Sequence, residues 1–265
     1  MPGILKEISL KFKIGTLPEK DKYITIRFYE ELNDFLPRNK QKKPYNIPFF
    51  GSPTVKDIIE AQGVPHTEID LILVNSNSVD FEYHIEAKDL VSVYPEFELL
   101  DISPLIKLRP KPLRIIRFIA DAHLGKLARY LRMLGYDTVY SNDLEDAEII
   151  KTSLSEKRII LTRDLGILKN GKVQRGYFVR NQNPLQQCRE IMHKFSLEHR
   201  ISPFSRCMEC NGIFKKIDKE QIKEDIPDNA HQYFTEFYQC VNCHNLYWKG
   251  SHYEEMLKTI DRLLS

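Results

Sequence analysis

No segment of this chain is apolar for long enough to cross a membrane. The longest such runs, Leu71-Ile72-Leu73-Val74 and Ile159-Ile160-Leu161 among them, fall far short of the roughly 20 residues that a bilayer-spanning helix needs. Nor does Met1-Pro2-Gly3-Ile4-Leu5-Lys6-Glu7 hold the apolar core of a secretory signal, so the expectation is a cytoplasmic protein with no membrane role. An excess of one charge is missing too: 39 Lys and Arg stand against 37 Asp and Glu, a net +2. With no global field, affinity for nucleic acid must come from local patches. Internal repeats and low-complexity tracts are absent, which excludes a solenoid and leaves discrete globular units. The 265 residues, 42% of them hydrophobic, suffice for two or three such units, each with its own core.

Three regions separate. From about residue 23 to 104 the pattern is strand, helix, then strands. Ile24-Thr25-Ile26-Arg27-Phe28 and Leu90-Val91-Ser92-Val93-Tyr94 alternate as half-buried strands do. Thr54 is placed to cap a helix through Val55, Ile58 and Ile59 that Gly63 and Pro65 end, and Leu71–Val74 follows as a buried strand. The proline-rich, basic connector from Leu105 to Arg114 disfavours helix and marks a boundary. The second region, 114–200, alternates strands with helices, which argues for a parallel sheet covered by helices. Leu124, Leu127, Ala128, Leu131 and Leu134 form one apolar stripe of a helix ending at Gly135, whose other face carries Lys126, Arg129 and Arg132. Asn183-Pro184 opens a later helix with Leu185, Cys188, Ile191, Met192 and Phe195 on its apolar face. Cys188 there reads as a core cysteine.

Two strands of this region, 114–120 and 158–163, run into Asp121 and Asp164, and Asp146 falls in the first turn of an intervening helix. Ligands of open parallel sheets collect beyond the carboxyl ends of strands, and clustered carboxylates supply the hard oxygen donors that Mg²⁺ or Mn²⁺ requires. Each aspartate taken alone reads equally well as a helix or turn cap. Three in register point to metal-assisted hydrolysis, with His123 and Glu148 as neighbours of interest.

The third region, 201–265, carries the most specific local pattern. Cys207-Met208-Glu209-Cys210 and Cys240-Val241-Asn242-Cys243 are paired C-x-x-C knuckles that suit four thiolates around one tetrahedral Zn²⁺. Four cysteine ligands leave no open position for a reactive water, so this zinc is structural. Disulfides are the alternative, and they fit poorly with a cytoplasmic chain. A final helix follows, with Ser251 and Glu254 as its capping box and Tyr253, Met256, Leu257, Ile260 and Leu264 as its apolar face.

At these residues the chain resembles a known family. The segment from Phe118 to Thr138, with Asp146-Ala147-Glu148, Leu161-Thr162-Arg163-Asp164, Arg206–Asn211 and Tyr247–Tyr253, looks like the Mut7-C domain, a PIN-like RNase domain with a C-terminal zinc ribbon. The region before it is similar to the ubiquitin-like β-grasp module that precedes this domain. It also resembles the sulfur-carrier branch of that fold, but has no free diglycine tail, which argues against sulfur transfer. The resemblance implies an α/β protein: a β-grasp domain, a PIN-like parallel sheet with flanking helices, and a zinc ribbon. It further implies a metal-dependent endoribonuclease with Asp121, Asp146 and Asp164 as catalytic acids and ligands of Mg²⁺ or Mn²⁺. PIN-type sites usually have a fourth acid beside the last, where this chain has Leu165-Gly166.

For substrate contact, Lys126, Arg129, Arg132 and Arg163 lie near the acids in sequence, and Lys107, Arg109, Lys111, Arg114 and Arg117 add bases from the connector. A basic rim around an acidic site suits RNA, in single-stranded form if Tyr233, Phe234, Phe237, Tyr238, Tyr247 and Trp248 of the ribbon stack on bases. The plain alternatives are a solvated helix face and a small aromatic core. A second functional reading is a non-catalytic RNA- or ribosome-associated adaptor, and the ubiquitin-like module suits a protein partner.

Overall fold

The computed structural model describes residues 22–95, 108, 115–222, 224–226 and 232–265. The first unit is a five-stranded sheet in the order β2-β1-β5-β3-β4, built from β1 (Tyr23–Phe28), β2 (Tyr45–Pro48), β3 (Leu71–Val74), β4 (Asn77–Val79) and β5 (Leu90–Tyr94). Its central pair, β1 and β5, is parallel and the other pairs are antiparallel. Period-2 alternation turns Ile24, Ile26 and Phe28 inward, against α1 (Val55–Ala61). Thr54 caps α1 in a reciprocal box with Asp57, and Gly63 beyond its end takes φ +103°, as expected of a helix stop. This is the β-grasp arrangement. Of the connector, Leu108 is described, with its N–H on the Asp70 carbonyl; Lys107, Arg109, Lys111 and Arg114 lie outside the described residues.

The second unit is a parallel sheet in the order β7-β6-β8-β9, from β6 (Phe118–Ala120), β7 (Thr138–Val139), β8 (Ile159–Thr162) and β9 (Gly176–Phe178). The strands are shorter than the sequence pattern suggests, the ladders joining only these central residues. Phe118, Ala120, Ile159 and Leu161 face one core with α2 (Gly125–Met133), α5 (Pro184–Lys194) and α6 (Ser251–Leu264); Ile119 and Ile160 face another with α3 (Asp146–Glu156) and α4 (Leu165–Lys169). Helices thus cover both faces, as a parallel sheet requires. Cys188 is fully buried, and burial pushes its thiol up to about 12, so it is a core residue. Gly135 ends α2 at φ +97°, and a Cβ there would sit 2.3 Å from the Ser202 carbonyl oxygen.

The third unit is an antiparallel sheet of β10 (Phe214–Ile217), β11 (Phe237–Cys240) and β12 (Leu246–Trp248) over a small core of Ile222, Ile226 and Phe237. Two expectations for α6 need correction. Ser251 is the first residue of the helix rather than its cap, with Gly250 before it and no side-chain cap bond. Ile260 and Leu263, not Leu264, are its buried residues, since the contact with α5 selects positions three apart on one face.

β9 ends the parallel sheet, and the first unit closes that edge. Glu68, 2% exposed, accepts the Phe178 N–H at 2.7 Å and the Arg180 guanidinium at 3.0 Å. The carboxylate takes the place of a neighbouring strand's carbonyl. His66 adds a bond to the Val173 carbonyl at 2.9 Å, and Lys169 donates to the Glu60 carbonyl at 3.0 Å. Although burial works against it, Glu68 holds the Arg180 guanidinium firmly protonated. Replacing Glu68 by Ala leaves the Phe178 N–H unpaired and Arg180 with only the exposed Asp34 carboxylate at 3.2 Å and the Phe178 carbonyl at 3.0 Å, so denaturant unfolding is expected to show a loss of about 3 kcal/mol; Glu68→Gln, which keeps an acceptor for Phe178, should lose less.

Candidate active site and metal centre

In the parallel sheet β6 has β7 on one side and β8 on the other. Chain connections therefore leave in opposite directions at the carboxyl ends of β6 and β8, opening the crevice where open α/β sheets bind ligands. Asp121 follows β6 directly and Asp164 lies two residues beyond β8. One hydroxyl ties them together: Thr162 Oγ1 donates to Asp121 Oδ2 at 2.8 Å and accepts the Asp164 N–H at 2.8 Å. Asp164 Oδ1 in turn accepts the Gly166 N–H at 2.6 Å and caps α4. Asp121 is 7% exposed, and its Oδ1 makes no hydrogen bond among the described residues. Since Oδ1 is not among the buried side-chain atoms left without a partner, it reaches solvent and is open to a ligand.

Asp146 is the exposed first residue of α3, and among the described residues Asp121, Asp146 and Asp164 do not come together as a group of metal-ligating side chains. Glu148 closes a capping box with Glu145, its carboxylate accepting the Glu145 N–H at 3.4 Å. His123 is exposed in the turn before α2. Thr162 was not among the sequence candidates. The signal was present, because residues i and i+2 of a strand share a face, which puts Thr162 on the side of Asp164 and turns Arg163 away. Tyr140, also missed, donates its hydroxyl to the Ala122 carbonyl at 3.0 Å and packs over Gly125, where a Cβ would meet that oxygen at 2.5 Å.

The expected basic rim divides. Lys126 and Arg129 are exposed on α2, Arg129 in an ion pair with Glu209 at 2.8 Å. Arg163 instead donates to the Val179, Arg180 and Asn181 carbonyls beside β9. Arg132 is 3% exposed, and its guanidinium donates to the carbonyls of Thr138 at 2.8 Å, Met208 at 2.9 Å and Glu209 at 2.7 Å. Its position on the polar side of the α2 stripe reflects contact with the cysteine-bearing unit and not with solvent, so it is a brace rather than a substrate contact.

The four cysteines do converge. The Sγ atoms of Cys207, Cys210, Cys240 and Cys243 all lie within 4.8 Å of one another, and this is the one such group of three or more metal-ligating side chains among the described residues. Cys207 and Cys243 approach to 3.6 Å, Cys210 and Cys240 to 3.3 Å. Asn211 and His244 follow their knuckles at φ +67° and +61° and turn back to bond the Cys207 and Cys240 carbonyls. Gly212 makes room, since a Cβ there would lie 2.7 Å from Cys240 Sγ. Burial raises the Cys240 thiol, but the Cys243 and Asn242 N–H groups outweigh it and bring it down to about 7; burial and the neighbouring sulfurs push Cys243 up to about 12. A cation relieves that crowding of donors. The four cysteines could bind a metal ion, and four thiol donors at this spacing suit zinc.

Comparison with known families decides the relationship: residues 116–260 match the Mut7-C RNAse domain and residues 21–101 the Mut7-C ubiquitin domain. The chain belongs to the Mut7-C RNAse domain family. No curated protein and no solved structure matches it. The Mut7-C match spans both the sheet that carries Asp121 and Asp164 and the cysteine quartet, so crevice and quartet fall within one family match. Its description points to a nuclease-like function, and the ubiquitin domain before it accounts for the β-grasp sheet.

Elemental analysis of reduced, natively purified Mut7-C protein should find one zinc per chain, lost in Cys240→Ala. In chelator-stripped protein, Cys240 is deprotonated at lower pH when folded than when unfolded. Its stabilising contribution is therefore fully present above about pH 9 and is lost as pH falls through about 7, a decline that thermal unfolding at stepped pH would reveal. Arg132→Ala should cost about 3 kcal/mol by leaving buried carbonyls without a donor, and should hasten zinc release to a chromogenic chelator.

Proposed function

We propose that this Mut7-C protein is a ribonuclease that hydrolyses phosphodiester bonds of single-stranded RNA in the crevice between β6 and β8. The observation that carries the reading is the Asp121–Thr162–Asp164 connection at the point where strand order reverses. Two carboxylates suffice for a Mg²⁺ or Mn²⁺ ion that keeps most of its waters, and the partnerless Oδ1 of Asp121 fits such an ion. When bound, the ion supplies polarisation of the scissile phosphate and a water of lowered pKa. The chain's own part is placement. Thr162 fixes Asp121 by holding Oδ2, and the α4 cap fixes Asp164 by holding Oδ1. Lys126, in the first turn of α2, offers an exposed ammonium to a phosphate, and Arg129 follows one turn later. Asp146 and Glu148 lie in the first turn of α3, and in this reading the ion sits on Asp121 and Asp164.

The β-grasp domain suits a protein partner more than sulfur transfer, because the chain continues into the connector where a carrier would need a free diglycine tail. The cytoplasm is the compartment in which this reading operates. The thin set of acids also supports a second reading, an RNA-binding adaptor that has lost cleavage. A labelled single-stranded RNA incubated with Mn²⁺ separates the two. Cleavage should fall at least about a hundredfold in Asp121→Asn and in Asp164→Asn, and much less in Asp146→Asn; cutting that survives in the first two variants sinks the site. RNA binding without cleavage by any form of the protein selects the adaptor.

A further inference from the structure

A groove of about 1150 Å³ lies where α2, β12 and α6 meet. That exceeds the roughly 300–1,000 Å³ of pockets for single small ligands, and it is open along one side of α2. The α2 wall carries Lys126, Arg129 and Tyr130; the ribbon and α6 supply Tyr233, Trp248 and Tyr253. Aromatic side chains in a folded domain are normally buried, yet Tyr233 is 74% exposed here, and the Trp248 indole is half-buried with no hydrogen bond from its N–H among the described residues. Gly250 keeps the indole edge open, since a Cβ at that position would lie 3.0 Å from Trp248 Nε1. Of the charged groups in the lining, Glu209 is held by Arg129 at 2.8 Å and Glu255 lies 3.8 Å from His252, while Lys126 has no acidic partner among the described residues.

None of Asp121, Thr162 and Asp164 lines the groove, but α2 links the two: Asp121 precedes the short turn that leads into α2, and Lys126 in its first turn is the lining residue nearest Asp121 in sequence. Lys126, Arg129, Tyr130 and Met133 line the groove at helical spacing, a path of roughly 10 Å at 1.5 Å rise per residue. Flat π-faces beside an uncompensated cation are the surface that unpaired bases and their phosphates recognise. A duplex hides those faces.

We infer that this groove is the binding track for a single-stranded RNA segment flanking the scissile bond, with two or more bases held against Tyr233, Trp248 and Tyr253 and the phosphate nearest the crevice on Lys126. The inference rests on the ribonuclease reading for its direction but not for its test. Trp248 is the sole tryptophan of the chain, so its emission reports on this groove alone.

The full-length, zinc-loaded protein carrying Asp121→Asn, to suppress cleavage, is titrated with a short oligouridylate, and binding is followed by RNA anisotropy and by Trp248 emission together. Saturable quenching that tracks anisotropy is expected. Adding Tyr233→Ala should weaken binding about tenfold, and adding Lys126→Gln should lower the salt dependence by about one counterion. Tyr233 is exposed and in no core cluster, so its variant should stay folded, which circular dichroism checks. RNA that binds by anisotropy without altering Trp248 emission overturns the inference, as does equal quenching by duplex RNA. Trp248 emission that depends on protein concentration without RNA points instead to a second copy of the chain in the groove, and also overturns it. Cleavage by the unsubstituted protein together with unquenched binding would remove the groove and leave the ribonuclease. Quenching without cleavage would do the reverse.

Discussion

A buried positive charge with no carboxylate of its own organises the second half of this molecule. Arg132 sits on α2 with its guanidinium among the backbone carbonyls of β7 and the first cysteine knuckle. Burial depresses its pKa and the nearby cysteines oppose that shift, so the charge is tolerable only while those carbonyls and sulfurs remain in place. A second connection runs beside it: Asn211 of the same knuckle bonds the Asp137 carboxylate at 2.8 Å and the Thr138 N–H at 3.0 Å. Although burial works the other way, hydrogen bonds from Arg158 and Asn211 keep Asp137 below the usual carboxylate range. The cysteine cluster is thus joined to the sheet through α2 and β7, and the walls of the aromatic groove inherit their spacing from those bonds.

The crevice depends on a different constraint. Strand order 7-6-8-9 makes the connections diverge above β6 and β8, and the threonine between them converts a property of topology into a fixed pair of acids. A valine at 162 would pack as well against neighbouring strands but would neither hold Asp121 Oδ2 nor accept the Asp164 N–H. Position 162 is fully buried, so the hydroxyl there is tolerated because both its bonds are made.

The parts of this architecture legible in the sequence were those that local chemistry dictates. The α2 stripe ending at Gly135, the Thr54 and Asn183 caps, and the four cysteines follow from periodicity, capping and ligand spacing, each set within a few residues. The aspartates at the ends of β6 and β8 were legible for the same reason. The fates of Arg132, Arg163 and Ser251 were not. Two of them depend on elements distant in sequence: Arg132 reaches a knuckle more than seventy positions away and Arg163 reaches carbonyls beyond β9; Ser251 is a local case, giving way to Gly250 where β12 turns into α6. A charged residue on the polar side of a helix looks solvent-facing until a third unit packs there.

The docking of Glu68 against β9 bears on how the protein can be divided. A parallel sheet ending in an unpaired strand offers N–H groups to any extended chain nearby, and here the carboxylate that occupies the Phe178 position comes from the preceding β-grasp unit. The N-terminal domain therefore acts as a stopper for its neighbour. A nuclease domain produced without it would expose a strand edge and an orphaned Arg180, and would be prone to self-association. A protein binding the β-grasp unit would find the side that carries Glu68 already occupied by β9.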